Sequence, residues 1–459
     1  MPPRAAGRRD PARAAAYELL RAVHERGAYA NLVLPDLLRE RRLDPRDAAL
    51  ATELGYGTLR AQGTLDVVLA ACADRSLDRV DPPLLLLLRL GTYQLLRTRV
   101  PPHAAVATTV ELTRGELGEG RAKFANAVLR RVAGRDLAGW LAELAPAYDE
   151  DPVGHLALST AHPPWIVAAF QDALGGDLAE TAAALTADDE RPLVHLVARP
   201  GRLSRDQLLA AGPGARPGPW SPYAVRLDGG DPARLQAVRD GRAAVQDEGS
   251  QLAALALARA EVQGPERRWL DACAGPGGKA GLLAGLAADV QAVLLAVDRA
   301  PHRARLLRST LAGSTGATAV VVADSTVAAW PAGSFDRVLV DAPCSGLGAL
   351  RRRPEVRWRR TPADVTALFP LQCALLDSAL AAARPGGVVG YVTCSPHRAE
   401  TRGVLDAVLG GRPQVERVDA RPLLPGVPDL GPGPEVQLWP HRHGTDAMFI
   451  ALLRPVPRP

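Results

Sequence analysis

An α/β fold with a doubly wound, mostly parallel sheet, preceded by an all-helical domain and a small mixed α+β connecting domain, is what this sequence predicts. Three observations carry the prediction. In residues 10–135, apolar positions recur at three- and four-residue spacing in segment after segment, as buried helix faces require. From about residue 245, short and nearly continuous apolar runs alternate with helical stretches, the pattern of strands covered on both faces of a parallel sheet. The chain has 459 residues, 47% of them hydrophobic and 23% charged, enough for two or three domains with packed cores.

The helical part begins with DPARAAAYELLRAVHERG, in which Asp10 is a natural N-cap, Pro11 fits the first helical position and Gly27 closes the helix. ANLVLPDLLRERR, RDAALATELGYGTLRAQGTLDVVLAACA, PPLLLLLRLGTYQLLR, PHAAVATTVELTR and RAKFANAVLRRVAG come next with the same periodicity, so residues 1–139 are expected to form one helical domain. Residues 140–240 mix two helical segments, HPPWIVAAFQDALG and AETAAALTADD, with a strand-like PLVHLVARP and a Pro/Gly cluster, and are expected to form the connecting domain. In 241–459 the expected strands are 269–274, 292–298, 319–325, 335–343 and 386–395, with TPADVTALFPLQCALLDSALAAA the longest helix between them. Ligands of such sheets sit at the C-terminal strand ends.

Composition excludes several classes. The apolar content rules out a wholly disordered chain, and no Gly-X-Y period is present. The run Leu84–Leu88 stops at Arg89, far short of the ~20 residues of a bilayer span, so no membrane partner is expected. The basic opening MPPRAAGRRDPARAAAYELL lacks the apolar stretch of a secretory leader. Five cysteines in so long a chain form no disulfide framework, and a reducing cytoplasm is expected. The net charge is +5; residues 1–140 hold 22 basic and 16 acidic side chains, so the excess sits in the helical third. That balance is compatible with a polyanionic partner. Among 55 basic residues only Lys123 and Lys279 are lysines, which in so arginine-biased a chain singles them out.

The candidate chemistry lies at the predicted strand ends. Asp271-Ala-Cys-Ala-Gly-Pro-Gly-Gly-Lys279 joins the first strand of the sheet to a helix. Its glycines permit close backbone approach, and the helix N-terminus favours an anionic or polar ligand group. It is not a P-loop: Cys273 stands where the first glycine belongs, and Ala280 offers no hydroxyl for magnesium. Asp298 ends the next strand 20 positions after Gly278, where a carboxylate commonly accepts from ribose hydroxyls. Cys344 and Cys394 lie just past two further strands, each beside proline and small residues, as thiols offered into a cleft would. Cys72 and Cys373 fall within helices and read as small core residues. No CxxC spacing occurs and HRH at 441–443 is remote, so no metal is expected. The six arginines of Arg351-Arg-Arg-Pro-Glu-Val-Arg-Trp-Arg-Arg360 could track phosphates around a stacking tryptophan; alone, the run reads better as an exposed charged loop, and its place beside the cysteine pair points to a nucleic-acid substrate.

DACAGPGGK, VDR, DAPCSGLG with RRRPEVRW, and YVTCS together resemble the motif set of the Sun-type RNA cytosine-C5 methyltransferases, with VQDEGSQLAA at 245–254 similar to the lead into their catalytic domain. AYANLVLPDLL and KFANAVLRRV are similar to the RNA-binding NusB fold. A NusB-like domain ahead of a Sun-type domain is the architecture of bacterial enzymes acting on small-subunit (16S) rRNA. The resemblance implies a Rossmann-like class I methyltransferase domain. It places S-adenosylmethionine on Cys273, Ala274, Gly275, Pro276, Gly277, Gly278, Lys279, Asp298, Arg299, Asp324 and Asp341. It makes Cys394 the nucleophile toward cytosine carbon 6, Cys344 the residue assisting release, and Asp341 the group facing the base. It implies 16S rRNA, unassembled or partly assembled, as partner, touched by Arg351, Arg352, Arg353, Arg357, Lys123 and Arg130. Two alternatives stay open: the same chemistry on tRNA or another rRNA site, and an inactive RNA-binding or assembly protein. The chain carries Arg199 near where the family's pattern has asparagine.

Overall fold

The computed structural model describes residues 10–212, 214–327 and 329–456. It divides into two compact units, Met1–Glu190 with Leu350–Arg359, and Arg191–Ala349 with Arg360–Pro459. The segment 140–240, expected as one connecting domain, is therefore shared between them.

The first unit is helical: α1 (Pro11–Arg26), α2 (Ala30–Glu40), α3 (Pro45–Cys72), α4 (Pro82–Arg97), α5 (Pro102–Leu117), α6 (Glu119–Val132), α7 (Leu137–Leu144), α8 (Pro152–Ser159), α9 (Pro164–Ala173) and α10 (Leu178–Asp189). Local chemistry sets the ends. Asp10 accepts from Arg13 N at 3.0 Å and Gly27 closes α1 at φ 62°, as expected of an N-cap and a left-handed terminator. Asp44, Asp136, Asp151 and Asp177 cap α3, α7, α8 and α10 in the same way. Leu19, Leu54, Leu65, Leu87 and Leu90 form the centre of its core. α8 joins this body because buried Thr64 donates to Leu158 O at 2.6 Å.

The second unit opens with β1 (Val194–Ala198), α11 (Arg205–Ala211), β2 (Ala215–Pro217), β3 (Ala224–Leu227), α12 (Gln236–Arg239) and β4 (Ala243–Val245), an antiparallel sheet in the order β2-β3-β1-β4. Arg199, buried just past β1, donates to Gly241 O at 2.9 Å and Thr310 O at 2.6 Å. Those bonds tie the small sheet to the rest of its unit. The chain continues through α13 (Glu248–Arg259), β5 (Arg268–Asp271), α14 (Gly278–Asp289), β6 (Val293–Val297), α15 (Pro301–Leu311), β7 (Thr318–Val321) and β8 (Phe335–Asp341). It then contributes Leu350–Arg359, with α16 (Val356–Arg359), to the helical unit. It returns through α17 (Pro362–Ala382), β9 (Ala383–Thr393), α18 (Arg402–Leu409), β10 (Val415–Val418), β11 (Val436–Gln437), α19 (Pro440–His443) and β12 (Phe449–Pro455).

The large sheet runs β10-β12-β9-β8-β5-β6-β7. From β9 to β7 all neighbours are parallel, whereas β12 pairs antiparallel with β9, β10 and β11. The mostly parallel α/β expectation holds, with an antiparallel edge. The six residues Phe335–Val340 are all buried, as a strand covered on both faces must be. Two cores lie on the two faces, one around Leu252, Leu282 and Leu294, the other around Val338, Leu376 and Tyr391. α17 is long and apolar enough to cross a membrane by length and composition, yet its Leu375, Leu376 and Ala379 lie in the second core.

Candidate active site

At the C-terminal end of β5 the chain turns through 272–277 into α14. Gly277 takes φ 118°, and a Cβ there would lie 2.7 Å from Thr310 Cγ2, so only glycine suits the turn. A Cβ on Gly275 would meet Asp298 Oδ2 at 2.3 Å; without one, that oxygen accepts from Gly275 N at 3.2 Å and forms an ion pair with Arg303, Nε at 3.3 Å. Asp298 Oδ1 accepts from Ala300 N at 2.8 Å, and the residue is buried. Asp324 and Arg299 are exposed, and Thr326 N and Oγ1 donate to Asp324 at 2.9 and 2.7 Å, holding its carboxyl below the usual range.

Two buried polar groups at this turn went unnoticed as site residues in the sequence. Asp271 is fully buried; burial and then the neighbouring Asp341 push its carboxyl up to about 7. Its Oδ1 accepts from Cys273 N at 3.3 Å, and Oδ2 has no hydrogen-bond partner among the described residues. Gln246, 6% exposed, places its amide 4.0 Å from where a Gly278 Cβ would stand, and its Oε1 is likewise unpartnered among them. The Cys273 thiol is pushed up by burial and by Asp271, so it stays a neutral thiol.

Lys279, 8% exposed, points its Nζ to Asp341 Oδ2 at 2.8 Å. Burial, the largest effect, works against its charge, but Asp341, Cys394 and Asp271 together outweigh it; the ammonium is held above its ordinary value. The two cysteines meet because β8 and β9 are parallel neighbours with Asp341 opposite Val392. Three residues past Asp341 and two past Val392, Cys344 Sγ and Cys394 Sγ are 3.4 Å apart. Gly348 N donates to Cys394 O at 2.8 Å, and a Cβ on Gly348 would lie 2.0 Å from Ala447 O; the two loops touch backbone to backbone. The hydrogen bond to Cys394 and burial hold the Cys344 thiol well above its ordinary value. Beneath the pair, Glu400 and Gln372 are fully buried, the former joined to Ser345. An acid six positions beyond Cys394 was the only sequence signal for that contact.

The arginine run is corrected by the structure. Arg357 is fully buried in the helical unit, donating to Asp189 Oδ1 at 2.6 Å, Asp188 O at 2.7 Å, and Arg60 O and Ala161 O at 3.3 Å. Arg351 is 6% exposed. Neither can track a phosphate backbone. Trp358, expected as a stacking platform, donates Nε1 to Leu59 O at 2.7 Å, and its ring would meet a Cβ on Gly63 at 2.4 Å. Arg353 is exposed, its guanidinium 5.5 Å from the Tyr29 ring centroid, and Arg352 is half-buried. Lys123 and Arg130 are exposed on α6, seven residues apart and so on one face.

The chain is similar to known proteins. The family model described as 16S rRNA methyltransferase RsmB/F matches residues 257–454, and the NusB family model matches residues 10–134. The chain is 58% identical over 459 residues to the putative methyltransferase Rv1407 of Mycobacterium tuberculosis, covering 99% of each. It is 32% identical over 453 residues to the probable ribosomal RNA small subunit methyltransferase B of Bacillus subtilis, covering 96% of this chain and 97% of the relative. Among solved structures, PH0851 superposes with a TM-score of 0.79 at 21% identity, covering 97% of this chain and 98% of that one, a likeness of fold.

Proposed function

Because this chain belongs to the RsmB/F family of 16S rRNA methyltransferases, we propose that it methylates carbon 5 of a cytosine in small-subunit rRNA with S-adenosylmethionine, through a covalent bond between Cys394 and carbon 6. The observation that carries this reading is the 3.4 Å contact between Cys344 and Cys394 beside the Lys279–Asp341 pair. The residues of the turn fit the cofactor: Gly275, Gly277 and Gly278 ahead of the α14 N-terminus would let it approach the backbone closely, Asp298 and Asp324 would hold its nucleoside, and the orphan oxygens of Asp271 and Gln246 would accept from its ammonium. Bound there, S-adenosylmethionine supplies the electrophilic methyl that an activated carbon 5 takes up.

The protein's own groups do the activation. Cytosine carbon 5 is a poor nucleophile until a thiolate adds to carbon 6 and makes it enamine-like. In this reading Cys344 donates the proton of their 3.4 Å contact and Cys394 attacks as the thiolate, its negative charge stabilised by the Lys279 ammonium. Asp341, with Lys279 fixing its carboxylate, hydrogen-bonds the amino group or protonated ring nitrogen of the base. The carbon 5 proton then passes to a base and on to solvent water, the ring double bond re-forms, and the carbon 6–Sγ bond breaks to return Cys394, with Cys344 assisting. The target cytosine must leave its stack to reach the thiol. Arg352, Arg353, Lys123 and Arg130 are the proposed RNA contacts, in cytoplasmic rRNA that is unassembled or partly assembled.

The test is the denaturing-gel mobility of Cys344→Ala protein incubated with unmodified 16S rRNA and S-adenosylmethionine, beside the Cys344→Ala/Cys394→Ala variant. A slow band that needs Cys394 supports the reading. A band with tRNA alone keeps the chemistry and replaces the substrate. No band with any RNA, in protein that binds the cofactor, overturns it.

A further inference from the structure

Glu400 lies in a one-turn helix between β9 and α18, fully buried. A charge so placed is costly unless its oxygens are fully used, and here they are. Oε1 accepts from Ser345 N at 2.7 Å and from Gln372 Nε2 at 3.2 Å; Oε2 accepts a short hydrogen bond from Ser345 Oγ. Ser345 is the residue after Cys344. Its hydroxyl proton is committed to the carboxylate, so in its 3.2 Å contact with Ser395, the residue after Cys394, the Ser395 hydroxyl is the donor. Ser395 Oγ in turn accepts from His397 N at 3.2 Å. The polarity is continuous from the loop after β9, through Ser345, to one carboxylate. Gln372 ties the same carboxylate to Pro343 O at 2.9 Å, on the other side of Cys344, and Tyr391 at the end of β9 donates to Glu400 O at 2.9 Å.

We propose that Glu400 is the positioning residue of the two-cysteine site: its carboxylate locks Ser345 against Ser395 and so holds Cys344 in contact with Cys394 for the release step. Strand register and the Gly348 N–Cys394 O bond bring the two loops together, but the thiol–thiol hydrogen bond is too weak to fix the two side chains at 3.4 Å by itself. Three hydrogen bonds to one ionised acceptor are strong. The same negative charge is among those that raise the Cys344 thiol above its ordinary value. This inference rests on the reading that Cys344 serves release.

The experiment follows formation and decay of the protein–RNA adduct on denaturing gels for wild type, Cys344→Ala, Glu400→Gln and Ser345→Ala, with 16S rRNA and S-adenosylmethionine. Glu400→Gln keeps the shape but removes the charge and reverses the hydrogen-bond polarity. It is expected to slow adduct decay by about tenfold or more while adduct formation changes much less, so that a band accumulates with Cys344 still present. Ser345→Ala, which leaves the Ser345 N and Gln372 bonds in place, is expected to slow decay in the same direction by a smaller factor, and decides the matter if Glu400→Gln does not fold. Decay at the wild-type rate in both variants, or formation and decay falling together, overturns the inference while a trapped band in Cys344→Ala leaves the proposed function standing. No band in Cys344→Ala itself removes that function and this inference with it.

Discussion

Replacing Arg357 with methionine is expected to destabilise the helical unit by about 3–5 kcal/mol, the cost of removing one partner from a buried ion pair. The magnitude comes from the surroundings of the guanidinium. Arg357 is fully buried, and its strong bonds are two: 2.6 Å to the Asp189 carboxylate, itself 18% exposed, and 2.7 Å to Asp188 O. The bonds to Arg60 O and Ala161 O, at 3.3 Å, add less. Methionine fills much of the space, leaves Asp189 without this cation and removes a donor from each carbonyl. With a urea dependence of about 2 kcal/mol per molar, the unfolding midpoint falls by about 2 M. Tryptophan fluorescence reads it, since Trp358 and Trp140 both lie in this unit. The companion is Arg353→Ala, an exposed side chain, expected to move stability by no more than about 0.5 kcal/mol but to lower the salt dependence of RNA binding by about one unit of slope. An Arg357→Met protein with an unchanged urea midpoint and a reduced salt slope would refute the structural role and restore the phosphate-contact expectation.

Three further outcomes are expected. His162 is fully buried, and burial and then Arg357 hold its imidazole well below the ordinary value; it is neutral when folded but titrates near pH 6.5 when unfolded. Its contribution is complete above about pH 6.5 and is lost as pH falls, by at most about 1.4 kcal/mol per pH unit, so urea midpoints of His162→Gln should lose that part of the wild-type acid slope; an identical slope would exclude His162 as its source. Asp271, raised to about 7, has the opposite sign: wild-type stability falls as pH rises from about 4 to 7. In calorimetry the advantage of Asp271→Asn over wild type should therefore grow across that range, and a constant difference would place its carboxyl at an ordinary value. Gly348→Ala puts a Cβ 2.0 Å from Ala447 O and 2.9 Å from Cys394 O; displacing that backbone should cut adduct formation at least about a hundredfold with RNA binding retained, and normal formation would show that the loops can part freely.

Features set by near neighbours along the chain were legible in the sequence. Helix caps such as Asp10 and Gly27, the glycine turn before Lys279, and the position of Asp298, Asp341, Cys344 and Cys394 at strand ends depend on residues a few positions apart, and the structure places them as read. Buried parallel strands announce themselves by unbroken apolar runs, so five of the seven strands along the main path of the large sheet were legible as separate strand segments; β10 was missed because its Val-Glu-Arg-Val is half-exposed and polar. Which distant groups meet was settled by packing in three dimensions. The register of Asp341 against Val392 brings two sulfurs 50 residues apart into contact. The same holds for Arg357 in the arginine run: a stretch so rich in charge reads as solvated, because the groups that bury Arg357 are far away in sequence. The acceptors of Arg357 are Arg60 O, Ala161 O, Asp188 O and Asp189, gathered from distant parts of the chain by packing. Burial of a charge is a property of its neighbours in space, and a sequence lists only its neighbours along the chain.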